Sequence, residues 1–154
     1  MKDPNLPLEG GCRCGKVRFR VTAPPIITML CHCKGCQRMS SSAFSTSAAF
    51  PADAFEVIQG ETVLGGLKQE LPHHFCPDCM SWMFTRPPQL DFMVNIRAPL
   101  FDDTDWYAPF AETFASTKLA WVDTSTPHSF PEFPGADDMG PLIEAYGAAL
   151  GRSV

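Results

Sequence analysis

Seven cysteines fall in three tight groups: Cys12-x-Cys14, Cys31-x-Cys33-x-x-Cys36 and Cys76-x-x-Cys79. A thiolate is a nucleophile, half of a redox pair or a soft metal ligand, and clusters of this spacing read as metal ligands. A zinc ion held by protein alone takes four donors in a tetrahedron, whereas a working zinc takes three and keeps one position for water or substrate. Seven sulfurs supply one set of each kind, which implies one closed site and one open site where chemistry takes place.

Each group has its own geometry. Cys76-Pro77-Asp78-Cys79 has the spacing of a zinc knuckle, in which a tight turn brings two sulfurs onto one ion. A redox dithiol of that spacing opens a helix in a βαβ unit, but the flanks His73-His74-Phe75 and Trp82-Met83-Phe84 read as strands. Cys12-Arg13-Cys14 places both sulfurs on one face of an extended segment, and Gly10, Gly11 and Gly15 allow the bend that aims them at one ion. Cys31-His32-Cys33-Lys34-Gly35-Cys36 offers three thiolates from a single loop. His32 alternates against its cysteine neighbours and so points away from their metal. His32, His73 and His74 are the side chains that could nonetheless fill a fourth position. Spacing leaves the pairing open. Cys33 and Cys36 could join Cys76 and Cys79 as in a zinc ribbon, or Cys12 and Cys14 could join them and leave the dense cluster intact.

The elements that must position these groups are short. Fifteen prolines and eleven glycines over 154 residues suit strands and turns better than long helices. Val17, Phe19 and Val21 alternate with Lys16, Arg18 and Arg20, the pattern of a half-buried strand. Phe44, Thr46, Ala48 and Phe50 predict a second strand, Phe55 and Val57 a third ending at Gly60, Phe92, Val94 and Ile96 a fourth, and Ser81 to Thr85 a short one after the last cysteine pair. Helices are predicted from Lys34 to about Met39 and from Pro141 to Leu150, the second with Pro141 in its first turn and Gly151 beyond its end. Thr124 to Gly140, with three prolines, reads as an extended tail wrapping the domain.

Bulk properties set limits. Hydrophobic residues make up 45% of the chain, enough for a core, and the formal net charge is −5. Seven thiolates would subtract seven charges and two Zn²⁺ would add four, taking it to −8. An acidic chain is a poor partner for nucleic acid, whose phosphates need a basic face. No apolar run approaches the ~18 residues of a membrane span, and MKDPNLPLE has no signal-peptide character. A cytoplasmic location is expected, where clustered thiols stay reduced and available to metal.

The segments GGCRCGKVRF, CHCKGCQRMSSSAF and HFCPDCMSW, with ETFASTKLAWV and HSFPEFP further on, resemble the glutathione-dependent formaldehyde-activating enzyme (GFA) family, whose domain also occurs in the centromere protein V group. The likeness runs from about Gly10 to Pro134. It implies an all-β fold of small sheets and short strands, Mss4-like, to which the pattern from Pro141 to Leu150 adds a short C-terminal helix. It implies one zinc-binding domain over residues 1–154, with a core at about 10–123 and a wrapping tail and helix at 124–154. It also implies two zinc ions: a structural one on Cys12, Cys14, Cys76 and Cys79, and a catalytic one on Cys31, Cys33 and Cys36. The activity implied is that of a carbon-sulfur lyase, joining glutathione to formaldehyde as S-(hydroxymethyl)glutathione. Two departures from the family pattern stand out. Met80 follows the last cysteine where Gly is usual, and Ser41 and Ser42 lie where relatives often carry Gly.

That activity suits the donor set. Three thiolates donate strongly and weaken the Lewis acidity of a zinc ion, so it acidifies water poorly but can hold an incoming thiol as thiolate. Lys34 and Arg38 are the cations nearest in sequence to the open site and the candidates to steer the acidic substrate. His32 is the nearest candidate to protonate the product oxygen, and Trp82 and Trp121 are candidates to line the pocket. Two other readings are a non-catalytic zinc-stabilised binding module, which a histidine on the second ion would favour, and an enzyme for a different thiol or aldehyde. The sequence is silent on oligomeric state.

Overall fold

The computed structural model describes residues 1–66 and 71–152. Its strands are β1 (Leu8–Gly11), β2 (Arg18–Val21), β3 (Ile27–Cys31), β4 (Ser45–Pro51), β5 (Phe55–Gln59), β6 (Val63–Gly65), β7 (His73–Phe75), β8 (Trp82–Thr85), β9 (Met93–Arg97), β10 (Ala111–Thr113) and β11 (His128–Ser129). The helices are α1 (Lys34–Ser40) and α2 (Ala136–Ala149), with short 3-10 turns between strands. The fold is all-β with a C-terminal helix.

One antiparallel sheet has the order β1-β2-β5, and the other has the order β11-β10-β3-β4-β9-β8-β7-β6. The longer sheet is antiparallel from β3 to β6, while β10 runs parallel to both β3 and β11. The first core lies between the two sheets, built on Phe19, Val21, Phe50, Phe84, Val94, Ile96, Phe101 and Trp106. Cys12 and Cys76 belong to it. The second core lies between the other face of the long sheet and α2, with Ile27, Met29, Ala49, Phe110, Leu142 and Tyr146.

These two cores explain where the pattern read from the sequence holds. Val17, Phe19 and Val21 are buried while Arg18 and Arg20 are half-exposed, as the alternation of β2 predicts. β4 does not alternate: Ser47, Ala48, Ala49 and Phe50 are all buried. It is a central strand with a core on each face, so both sets of side chains leave water. In β5 only Phe55 is buried, and Val57 and Ile58 stay 37% exposed because this strand is a sheet edge. Phe92 precedes β9 and is exposed, whereas Val94 and Ile96 are fully buried. β3, a continuous buried run, and the short β10 carry no alternation and went unpredicted.

α2 begins at Ala136, not at Pro141, so Pro141 sits inside the helix instead of in its first turn. The extra turn brings Met139 onto the stripe of Leu142, Ile143, Tyr146 and Leu150 that packs on the second core, and Asp137 and Asp138 favour the positive end of the helix. The five residues from Ala136 to Gly140 are therefore helical and not extended tail. Upstream of them, the tail contributes β11 to the sheet edge beside β10. Gly10 has a packing reason: it pairs with Phe101, and a Cβ there would lie 2.3 Å from the Leu100 carbonyl oxygen. Glycine is what lets the small sheet touch the chain leaving β9. Among the described residues, no helix is long and apolar enough to cross a membrane.

Leu142 is the buried anchor of α2. Leu142→Ala should cost about 2–4 kcal/mol in denaturant unfolding, the usual range for a large-to-small change in a core. Metal content should be unchanged, because both cysteine clusters lie outside this core.

Candidate metal centre

The fold brings Cys12, Cys14, Cys76 and Cys79 together, and separately Cys31, Cys33 and Cys36, each set with its sulfurs within 4.8 Å of one another. The zinc-ribbon pairing of Cys33 and Cys36 with Cys76 and Cys79 does not occur. None of the seven is in a disulfide. Zn–S bonds of about 2.3 Å at tetrahedral angles put sulfurs about 3.8 Å apart. Cys12 and Cys14 are 3.4 Å apart and Cys14 and Cys76 are 3.7 Å apart, so the donors fit such an ion.

Two back-to-back turns build the four-sulfur set. In the first, the Gly15 amide donates to the Cys12 carbonyl at 3.0 Å with Gly15 at φ +76°, and the Val17 amide donates to Cys12 Sγ at 3.3 Å. In the second, the Met80 amide donates to the Cys76 carbonyl at 3.0 Å and Met80 sits at φ 56°. The left-handed position usually given to glycine is thus held by a methionine, under strain. The Ser41 substitution has the same effect at the C-terminus of α1, where Ser41 has φ 50°. Ser81 couples the two turns, accepting from the Arg13 amide at 3.2 Å and lying 3.3 Å from Cys79 Sγ. Lys16 and Asp78 form an exposed ion pair across them.

Bare sulfurs this close cannot all be thiolates. The Ser81 hydroxyl is the main cause that pulls Cys79 down to about 5. The Lys16 amide favours the Cys14 thiolate, but desolvation and the sulfurs of Cys12, Cys79 and Cys76 outweigh it and push Cys14 up to about 12. In the second cluster the Cys36 thiol, donating to Cys31, takes Cys31 down to about 5, and the same contact drives Cys36 far up. A divalent cation removes that conflict by letting every sulfur ionise.

The three-sulfur set sits where β3 meets α1. Cys31 ends the strand, Cys33 caps the helix by accepting the Cys36 amide at 3.3 Å, and Cys36 lies in the first turn. His32, between them, is fully buried and turned the other way, with Nε2 3.0 Å from Glu112 Oε2. Since a carboxylate only accepts, Nε2 carries the proton. The backbone of His32 is held too. Its amide donates to the Thr113 carbonyl at 3.0 Å, and its carbonyl accepts from Gln37 Nε2 at 2.6 Å and Thr117 Oγ1 at 2.9 Å. With His32 pinned on one side, strand alternation aims Cys31 and Cys33 to the other. Its Nε2 is engaged by Glu112, and its Nδ1 is buried without a hydrogen-bond partner.

Glu112 is the hub behind this arrangement. Besides His32 it accepts from Ser129 Oγ at 2.8 Å, Lys118 Nζ at 3.0 Å and Thr124 Oγ1. Burial alone would raise its pKa, but the bonds from Thr124, Lys118, Ser129 and His32 outweigh it and hold the carboxyl down at about 2.

The other candidates are placed as follows. His73 Nδ1 pairs with Thr85 and His74 Nδ1 with Thr62, and among the described residues no histidine or carboxylate joins the three sulfurs. Lys34 is exposed and reaches Gln37 and the Thr117 carbonyl. Arg38 and Trp121 border an open groove with Leu119 and Phe44. Trp82 lines a different cavity of about 580 Å³, with Ser45, Phe44, Met39 and Arg97. Ser45 is the strand partner of Cys31, so this cavity adjoins the cluster. Neither Glu112 nor Arg97 was singled out from the sequence. Glu112 opens the quoted segment ETFASTKLAWV, and Arg97 follows the apolar alternation Phe92, Val94, Ile96, the signals that could have marked them.

An all-β scaffold carries one four-thiol and one three-thiol cluster, each of which could hold a metal ion. The family model for the glutathione-dependent formaldehyde-activating enzymes (GFA) matches residues 7–117, and the chain belongs to that family. A Halomonas elongata protein, whose name provisionally assigns it as a glutathione-dependent formaldehyde-activating enzyme, is 30% identical over 94% of this chain and 96% of its own length. A crystal structure of a Rhodobacter sphaeroides protein, a structural genomics target, superposes with a TM-score of 0.51 at 15% identity, covering 79% of this chain and 98% of that one. That likeness concerns the fold alone.

Two variants probe the architecture. Met80→Gly should raise unfolding stability by about 0.5–1 kcal/mol, as relief of left-handed strain exceeds the entropy cost of glycine. Glu112→Gln should cost about 2–4 kcal/mol near neutral pH, because it strands Lys118 and the hydroxyl donors around a weakened acceptor. The carboxyl's folded pKa lies below its ordinary 4.5, so its contribution is complete above pH 4.5 and disappears as pH falls through about 2. The stability gap between wild type and Glu112→Gln, measured under identical metal conditions, should therefore close over that acid window.

Proposed function

We propose that the chain is a zinc-dependent carbon-sulfur lyase of the S-(hydroxymethyl)glutathione synthase type, joining a thiol such as glutathione to formaldehyde. The observation carrying this reading is the contrast between the clusters. Cys12, Cys14, Cys76 and Cys79 bring four sulfurs together, enough to complete a tetrahedral ion, whereas Cys31, Cys33 and Cys36 supply three donors with no fourth side chain among the described residues. The first set takes the structural role and the second the catalytic one. Absence of a histidine cap withdraws support from the reading as an inert binding module.

A zinc ion on Cys31, Cys33 and Cys36 would supply one thing, the stabilisation of an incoming thiol as thiolate near neutral pH. The thiolate sulfur then attacks the carbonyl carbon of formaldehyde. A C–S bond forms, the C=O π pair moves to oxygen, and that oxygen takes a proton to give the hydroxymethyl thioether. The chain's own part is positional. β3 and α1 hold three sulfurs on one side of His32, and the neighbouring cavity receives the rest of the thiol. Lys34 and Arg38 are outer cations that would draw an acidic substrate toward a protein of negative net charge. We place the protein in the cytoplasm, where unpaired cysteines stay reduced, and treat residues 1–154 as one domain.

Formaldehyde and thiols combine without a catalyst, so the test is the rate above that background. Wild type should exceed it clearly, while Cys33→Ala should fall to background and retain about one zinc per chain instead of about two. A Cys33→Ala protein with the wild-type rate and full zinc content would overturn the assignment. Lys34→Ala with Arg38→Ala should weaken glutathione binding several-fold, in a salt-sensitive way.

A further inference from the structure

Arg97 ends β9 and lines the cavity beside the three-sulfur cluster, although it is only 8% exposed. A guanidinium carries five N–H donors and no acceptor. Here Nη1 donates to Ser45 Oγ at 3.2 Å, and Nε, though buried, has no partner. Among the described residues Arg97 forms no ion pair, unlike Arg18, Arg20 and Arg152. Its guanidinium carbon Cζ lies over the Trp82 ring, 4.0 Å from the centroid. The Trp82 indole Nε1 is likewise buried without an acceptor. Two donor-only side chains thus meet at one cavity wall with acceptor capacity missing on the protein side.

A buried cation without a carboxylate is costly unless an anion completes it. Nearby sulfurs provide part of the charge balance: Ser45, which Arg97 touches, is paired with Cys31. They do not use the planar fork, which suits a carboxylate held by two parallel bonds.

We infer that Arg97, stacked on Trp82, is the anchor for a carboxylate of the thiol substrate, so that the site selects small acidic thiols over neutral or basic ones. This rests on the proposed binding of a thiol at Cys31, Cys33 and Cys36, and adds which chemistry the rest of that thiol must carry. Sulfur and carboxylate are then held on either side of Ser45, which fixes the orientation of the nucleophile before formaldehyde arrives.

The test is calorimetric and uses the zinc-loaded full chain without formaldehyde. The probes are S-methylglutathione, which keeps both carboxylates but has no thiol to ionise, and its dimethyl ester. Wild type should bind the acid at least about tenfold more tightly than the ester, a discrimination typical of a buried charge-assisted pair. Arg97→Met should bring the two within about threefold, and Arg97→Lys should retain part of the preference, since a point charge lacks the fork. Zinc content and circular dichroism report whether each variant folds, and Arg97→Lys carries the test should Arg97→Met fail to do so. Equal binding of acid and ester by wild type, failure of wild type to bind either, or an undiminished preference in Arg97→Met would overturn the inference. An arginine serving only as counter-charge to the sulfurs would lower zinc affinity and leave the preference intact, which also overturns it. Lack of formaldehyde chemistry with the preference preserved would sink the proposed reaction and leave the acidic-ligand site standing.

Discussion

Mutual repulsion between crowded sulfurs is the constraint on which this molecule is organised. The backbone brings seven thiols into two groups so tight that, as bare acids, each group splits into members that ionise early and members that hardly ionise at all. Without an ion, some thiols stay protonated and hydrogen-bond to their neighbours; a divalent cation would let every sulfur ionise. Two β layers and a helix force these thiols together, and an ion held between them would relieve the crowding. The contribution of the first core, in which Cys12 and Cys76 are themselves buried, is to make retreat of the sulfurs expensive.

The two clusters are enforced by different means. The four-sulfur set relies on local turns, and tolerates a methionine in a strained conformation because the surrounding hydrogen bonds over-determine it. The three-sulfur set relies on a long-range device. His32 is clamped to β10 and to the chain after it, and Glu112 gathers donors from the tail into the same knot. The tail reaches the cysteine segment through this carboxylate and through the β11-β10-β3 pairing, so an apparently peripheral stretch shares in the aim of Cys31 and Cys33.

The sequence made the chemistry more legible than the architecture. Cysteine spacing marked the residues that the fold gathers into clusters, and strand alternation predicted that His32 would turn away from Cys31 and Cys33, because both depend on local geometry. Pairing of Cys12 and Cys14 with Cys76 and Cys79 needed the fold, since spacing permits either partner. β3 is buried on both faces and lacks the alternation that betrays a half-buried strand, whereas β4, also buried on both faces, kept enough of it to be predicted. Pro141 suggested a helix start and instead sits within α2, where Met139 had enough apolar surface to pull one more turn onto the core. Glu112 and Arg97 were invisible as site residues because a charge in a strand has no meaning until its neighbours in space are known.

The contact between Cys14 and Cys76 spans 62 positions of chain. A loop of that size, pinned at its ends, costs the unfolded ensemble about 4 kcal/mol of freedom when the link is a disulfide. A metal ion held by these sulfurs would make the same link reversibly, without an oxidant. Loss of an ion held there would return that freedom to the chain without breaking a covalent bond.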